Sequence, residues 1–302
     1  MNHLISLSDW SKDDLERLLE LAVQLKAEWR TGGNTPVLAG KVLAMVFQKP
    51  SLRTRVSFEM AMKHLGGDAM MLGPSEIGLG KRESIGDVAR VLSGYVQGIM
   101  ARVFDHEHVV ELARYASVPV INGLSDDRHP CQALADILTI HERFGSLQGL
   151  KFAFIGDGNN VAASSVIACA KYGLDFAIAS PPGYALDGAV IDEARGLGDI
   201  KIETFLEPED AVRDADVVYT DTWVSMGQED EVAARLALFE PYQVNTELLK
   251  LAKPTAIVLH CLPAHRGQEI TDEVADGPQS MIFPQAENRL HAQKAVLVEL
   301  MK

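Results

Sequence analysis

Cysteine is scarce in this chain. Cys131, Cys169 and Cys261 are the only three, and no two of them form a CxxC pair. An odd, unpaired set supports neither a disulfide framework nor a structural zinc site, and it fits a reducing compartment, so a cytoplasmic location is expected. Long hydrophobic runs are also missing. Nowhere do about 18 apolar residues follow one another, and the opening MNHLISLSDWSKDDLE lacks a basic stretch leading into an apolar one, so neither a membrane span nor a secretory signal is expected. Basic residues are in deficit: 28 Lys and Arg stand against 42 Asp and Glu, a net charge of −14. Such a surface repels a phosphate backbone, which excludes nucleic acid as a natural partner. An anionic substrate would need a locally concentrated basic pocket set against that field. Repeats and low-complexity tracts are absent as well, and 47% apolar with 23% charged residues is ordinary globular composition.

At 302 residues the chain exceeds the usual single domain, which favours two. Leu15, Leu18, Leu19, Ala22 and Leu25 recur at three- and four-residue steps between Ser11 and Gly32-Gly33, the pattern of an amphipathic helix. KVLAMVF (41–47) is a short, nearly continuous apolar run of buried-strand type, and a helical period follows it to Leu65. The alternation recurs through strands at 96–103 and 118–121 and helices at 106–115 and 130–144. After the Gly- and Ser-bearing GSLQGL (145–150) a second series supplies strands at 151–156, 175–180, 200–205, 215–220 and 255–260. The expected fold is α/β, with two domains that are each a parallel sheet flanked by helices. The expected boundaries are 1–146 and 147–302, the last helix (about 286–302) returning to the first domain.

Open parallel sheets bind ligands beyond the carboxyl ends of their strands. In QKPSLRTRVSFE (48–59), Ser51, Arg53, Thr54 and Arg55 stand at a helix start, where free amides, hydroxyls and a guanidinium suit a phosphate without any Gly-rich loop. Arg53 and Arg55 face different ways, and Arg55 has a ready partner in Glu59 one turn on. DDRHPCQALAD (126–136) presents His129 and Gln132 at a second helix start, with Pro130 preorganising the first turn and Cys131 turned to the core. A metal at His129 and Cys131 lacks further ligands. GDGNN (156–160) invites a dinucleotide reading, but Val161 replaces the third glycine and no acidic residue closes the following strand, so a nicotinamide-dependent dehydrogenase is disfavoured. The loop still offers Asn160 and backbone amides to a carboxylate. DTWVSMG (221–227) and HCLPAHRG (260–267) follow two further strands. Asp221 and Ser225 suit an ammonium group, while Cys261 reads equally as a polar contact, a base or a packing residue.

SLRTR, HPCQALAD, DTWVSMG, HCLPAHRG and ENR (287–289), in this order, resemble the signature set of the ornithine carbamoyltransferases over essentially the whole chain. The resemblance implies transfer of a carbamoyl group from carbamoyl phosphate to L-ornithine, without metal or organic cofactor. It implies that Ser51, Leu52 (through its amide), Arg53, Thr54, Arg102, His129, Gln132, Cys261, Leu262 and Arg289 hold carbamoyl phosphate. Asn160, Asp221, Ser225 and Met226 would hold ornithine, with Arg102, His129 and Cys261 closest to the chemistry. Whether Cys261 accepts a proton or only positions the amine stays open. A homotrimer, possibly stacked further, is implied, serving arginine biosynthesis or citrulline breakdown. Acceptors such as putrescine or an acylated ornithine are the alternative. Two positions depart from the pattern: Leu52 stands where many members have Thr, and Gly78 where a Gln or His reaching a neighbouring subunit is expected.

Overall fold

The computed structural model describes residues 3–224 and 231–302, and they divide into two compact units, Met1–Leu138 with Glu287–Lys302, and Thr139–Ala286. In chain order the first unit carries α1 (Lys12–Thr31), β1 (Val42–Phe47), α2 (Leu52–His64), β2 (Asp68–Leu72), α3 (Pro74–Ile77), α4 (Ile85–Ser93), β3 (Gly98–Arg102), α5 (His106–Tyr115), β4 (Val120–Leu124) and most of α6 (Pro130–Phe144). The second carries β5 (Lys151–Ile155), α7 (Asn160–Tyr172), β6 (Asp175–Ala179), α8 (Gly188–Leu197), β7 (Ile202–Phe205), α9 (Pro208–Val212), β8 (Val217–Thr220), α10 (Val232–Phe239), α11 (Thr246–Leu249), β9 (Ile257–His260) and α12 (Asp272–Ala275). Finally α13 (Ile282–Met301) carries the chain back to the first unit.

Both sheets are parallel throughout, the first in the order β2-β1-β3-β4 and the second in the order β7-β6-β5-β8-β9. The expected class and architecture are therefore observed, and the physical reason is burial. The central strands β1, β3, β5 and β8 are apolar at nearly every position because helices cover both faces. Ala44, Val46, Ile99 and Ala101 join Val88, Val109 and Leu112 in the first core; Ala153, Ile155, Val218 and Val258 join Val244 and Val274 in the second. β2 is an element that the hydropathy pattern leaves unassigned: it is a half-exposed edge strand, defined by its pairing with β1 rather than by burial. α13 begins at Ile282, four residues earlier than its periodicity suggests, because Pro284 is tolerated in a first turn. Its far end packs on the first sheet, where a Cβ at Gly98 would stand 2.8 Å from the Met301 sulfur. No described helix is long and apolar enough to cross a membrane.

Candidate functional site

The strand orders locate two places where successive crossovers leave in opposite directions: between β1 and β3, and between β5 and β8. The loops after these strands open there, which is where a doubly wound sheet binds ligand. In the first unit Ser51 caps α2, its Oγ accepting from the Thr54 amide at 3.2 Å and donating to Thr54 Oγ1 at 3.1 Å. Arg289, from α13, donates to Gln132 Oε1 at 2.8 Å and to Thr54 Oγ1 at 3.3 Å. Gln132 in turn donates to Asp136 Oδ1 at 2.8 Å. Arg102 closes β3, and His129 immediately precedes α6; both are buried.

Burial pushes the His129 imidazole well below its ordinary pKa, and the neighbouring charges of Arg289, Arg102 and Arg53 push it the same way. At neutral pH the ring is uncharged, so it can hydrogen-bond to a carbonyl oxygen among cations without adding to their repulsion. A chain of net charge −14 thus gathers three guanidiniums around one neutral imidazole. Arg55 takes no part: its Nε lies 3.8 Å from Glu59 on the exposed side of α2. Cys131 is core, donating to the Asn122 carbonyl at 3.4 Å, with burial pushing its thiol up to about 12.

In the second unit the loops after β5, β8 and β9 meet at a carboxylate. Asp221 Oδ2 accepts from Asn159 Nδ2 at 2.8 Å; its Oδ1 accepts from the Thr222 amide at 2.7 Å and from Cys261 Sγ at 2.8 Å. Asn159 also caps α7, its Oδ1 receiving the Val161 and Ala162 amides. The second glycine of GDGNN is sterically required, since a Cβ at Gly158 would run into the backbone of Ala185 and Leu186. Leu262 holds a left-handed conformation, φ 58°, with its amide donating to His260 Nδ1 at 2.9 Å; His260 Nε2 faces the buried Glu269 at 3.0 Å. Ser225 and Met226 lie outside the described residues.

Of the sequence candidates, the structure brings together Thr54, Gln132 and Arg289 by hydrogen bonds, with Arg53, Arg102 and Arg289 in electrostatic reach of His129, and separately Asp221 with Cys261. Asn160 is the first residue of α7, and the side chain that reaches Asp221 is that of the N-cap, Asn159. His260 and Asp157 fall inside HCLPAHRG and GDGNN without a role of their own there, and Glu269 and Arg235 lie outside every motif. No local pattern announces Asp157 and Arg235, whose pairing joins different loops, and His260 and Glu269 partner each other only through the fold of the segment after β9. Asp221, His260 and Cys261 offer three potential metal ligands within 4.8 Å of one another. His260, however, spends Nδ1 on the Leu262 amide and Nε2 on Glu269, which leaves its ring no lone pair for an ion.

The family models for the aspartate/ornithine carbamoyltransferases match residues 2–142 with the carbamoyl-P binding domain and residues 148–300 with the Asp/Orn binding domain. The chain belongs to the aspartate/ornithine carbamoyltransferase family. It is 55% identical over 300 residues to an ornithine carbamoyltransferase of Anoxybacillus flavithermus, covering 98% of this chain and 96% of the relative. It is 52% identical over 301 residues to the anabolic ornithine carbamoyltransferase of Pyrococcus furiosus, covering 99% and 96%. The solved ornithine carbamoyltransferase from Pyrococcus furiosus superposes with a TM-score of 0.96 at 52% identity, over 99% of this chain and 97% of that one.

Within this carbamoyltransferase the two departures acquire physical content. Leu52 is the first residue of α2 and is 75% exposed, so the substitution leaves the helix start intact and adds apolar surface. Gly78 caps α3 at φ 54°, and a Cβ there would stand 2.9 Å from the Arg82 Cβ. A Gln or His at this position would be strained in this loop conformation.

Proposed function

We propose that this chain is an ornithine carbamoyltransferase, converting carbamoyl phosphate and L-ornithine into L-citrulline and phosphate. The observation that carries the reading is the charge pattern at the strand ends: guanidiniums around a neutral imidazole in the unit matching the carbamoyl-P binding domain, a carboxylate and thiol in the unit matching the Asp/Orn binding domain. The names of the relatives favour ornithine over other amines, and the anabolic designation of the Pyrococcus furiosus relative favours arginine biosynthesis.

In this reading the amides at the start of α2, with Ser51, the Leu52 amide, Arg53, Thr54 and Arg102, hold the phosphate. Arg289 clamps the carbamoyl phosphate oxygens, and Gln132 takes the carbamoyl amine. Thr54, Arg102 and His129 surround the carbonyl oxygen. The ornithine side-chain nitrogen attacks the carbonyl carbon, the oxyanion develops against these donors, the bond to the phosphate oxygen breaks, and the nitrogen gives up one proton. Donors fixed before charge develops stabilise the transition state more than the ground state. A free side-chain amine of pKa near 10.4 is neutral in only about one molecule in a thousand near pH 7.4, a deficit on the order of 4 kcal/mol. Asp221 and Ser225 bind the α-ammonium, Asn160 and the Met226 amide the carboxylate, and Cys261 with the Leu262 carbonyl faces the reacting amine. The residues need no metal or organic cofactor, because phosphate is already a good leaving group.

The assembly we infer is a homotrimer acting in the cytoplasm. Leu52, Val56 and Met60 form an exposed apolar stripe at four-residue steps along α2, a surface that a second copy would cover. The deciding experiment is citrulline formation from carbamoyl phosphate with ornithine, putrescine, N-acetylornithine or aspartate as acceptor, with mass determined in the same buffer. Ornithine should be preferred by orders of magnitude in kcat/KM; an equal or better alternative acceptor overturns the assignment.

A further inference from the structure

The acceptor-side loops are tied together by a buried guanidinium that lies outside every sequence motif. Arg235, on α10, is 2% exposed. Its Nε donates to the Trp223 carbonyl at 2.6 Å, Nη2 pairs with Asp157, and Nη1 lies 3.5 Å from Glu231 Oε2. The Tyr184 ring centre is 4.5 Å from its Cζ and that of Phe239 5.1 Å. Asp157 sits in the loop after β5, Trp223 in the loop after β8 and Tyr184 in the loop after β6, whose carbonyl also accepts from the Gly158 amide at 2.9 Å. Two residues beyond Asp157 is Asn159, which holds Asp221; two residues before Trp223 is Asp221 itself.

The charges explain why a guanidinium is needed. Burial pushes the Asp157 carboxyl up, Arg235 opposes that shift, and Asp221 and Glu231 add to it. A neutral residue at 235 would leave Asp157 as a buried anion beside Asp221. A lysine would neutralise Asp157 but, as a point charge, would not bridge two loops with fixed geometry.

We infer that Arg235 is a positioning residue for the acceptor: it locks the loops after β5 and β8 in the arrangement that presents Asp221, and so sets ornithine affinity without touching carbamoyl phosphate. This rests on the carbamoyl-transfer reading above. The test is citrulline kinetics, carbamoyl phosphate calorimetry and thermal unfolding on the full chain and on Arg235→Lys, Arg235→Gln and the double variant Arg235→Gln/Asp157→Asn. Arg235→Lys should keep a Tm near the parent's while raising the ornithine KM about tenfold or more, since displacement of a positioned group by about 1 Å is enough for such losses. Carbamoyl phosphate affinity should stay within about twofold. The double variant removes the buried charge mismatch, so it should recover the Tm lost in Arg235→Gln and leave the ornithine KM high. An ornithine KM within about twofold of the parent in folded Arg235→Lys overturns the inference. So does a matching loss of carbamoyl phosphate affinity, or a double variant that restores KM together with Tm, which would make Arg235 a charge compensator alone. A parent chain that makes no citrulline overturns the underlying reading and this inference with it, whereas the variant outcomes bear on the inference alone.

Discussion

The two units solve opposite electrostatic problems with the same architecture. In the first, Arg53 at the start of α2, Arg102 at the end of β3 and Arg289 on α13 surround His129, and the helix starts after Ser51 and His129 supply oriented amides. In the second, the strand-end loops converge on a carboxylate held by side chains from elsewhere: Asn159, Cys261 and, one step back, the Asp157–Arg235 pair. Both sites draw on several segments, but the cationic one adds the oriented amides of helix starts, whereas the buried carboxylate relies on donors from the loops after β5, β8 and β9. The contrast makes the first site robust to acceptor-side change and the second sensitive to distant substitution.

The largest effect should come from His129. In the proposed mechanism, replacing it with Ala removes a donor beside the reacting oxygen, and turnover should fall by about 100- to 1000-fold with the ornithine KM little changed. Stopped-time citrulline assays at saturating substrates measure this directly. A loss below tenfold would mean that the guanidiniums alone polarise the carbonyl.

That contrast also governs what was readable from the residues alone. SLRTR and HPCQ are contiguous because a helix start concentrates its donors within one turn, so Ser51, Arg53, Thr54, His129 and Gln132 emerge together. The parallel sheets emerge from continuous apolar runs such as VLAMVF and KFAFI. β2 escapes because an edge strand with one exposed face carries a weak burial signal, and Arg235 escapes because the partners that tie it to other loops, Trp223, Asp157 and Tyr184, lie 12, 78 and 51 positions away. Asn159 escapes because the one-residue position of an N-cap is set by dihedral angles, which GDGNN does not encode uniquely.

Asp221→Asn should produce the next largest change. It keeps shape and hydrogen-bonding capacity while removing the charge proposed to face the ammonium, and the ornithine KM should rise on the order of tenfold to a hundredfold, the range for losing one partner of a desolvated charge pair. Carbamoyl phosphate titrated calorimetrically should bind this variant as it binds the parent. Equal losses for both ligands would erase the distinction between the two sites.

Acid should separate the units more gently. In the first unit His129 is held well below its ordinary value by burial and by Arg289, Arg102 and Arg53. Burial and Lys294 push His64 down to about 4, and burial, Lys294 and Lys26 push His291 to about 4 against the opposing Glu287. A histidine whose folded pKa is depressed contributes stability that is complete above its unfolded value of 6.5 and is lost as pH falls towards the folded value. Asp157 in the second unit has the opposite sign: its raised pKa makes the fold take up a proton before the unfolded chain does, so acid relieves rather than weakens it. Hydrogen exchange followed by mass spectrometry from pH 7 down to pH 5 should show protection falling first in the helices around His64 and His291. Uniform loss in both units would contradict this assignment of titrating groups.

The smallest effect should come from Arg55, two residues from Arg53 in the same motif. Its side chain is 53% exposed and its Nε stands 3.8 Å from Glu59, the geometry of a solvated pair one turn apart on a helix. Such pairs contribute about 0.2 to 0.5 kcal/mol, and salt weakens them further. Arg55→Ala should therefore shift Tm by about 1 °C or less in a protein of this size and leave both substrate constants unchanged, while Arg53→Ala in the same helix turn raises the carbamoyl phosphate requirement strongly. The paired measurement turns the side-chain directions of α2 into a kinetic contrast. If Arg55→Ala matched Arg53→Ala, the phosphate would have to be gripped from both faces of the helix start. If instead it lost activity only on dilution, with mass falling in parallel, Arg55 would belong to the surface that the apolar stripe of Leu52, Val56 and Met60 presents to a second copy.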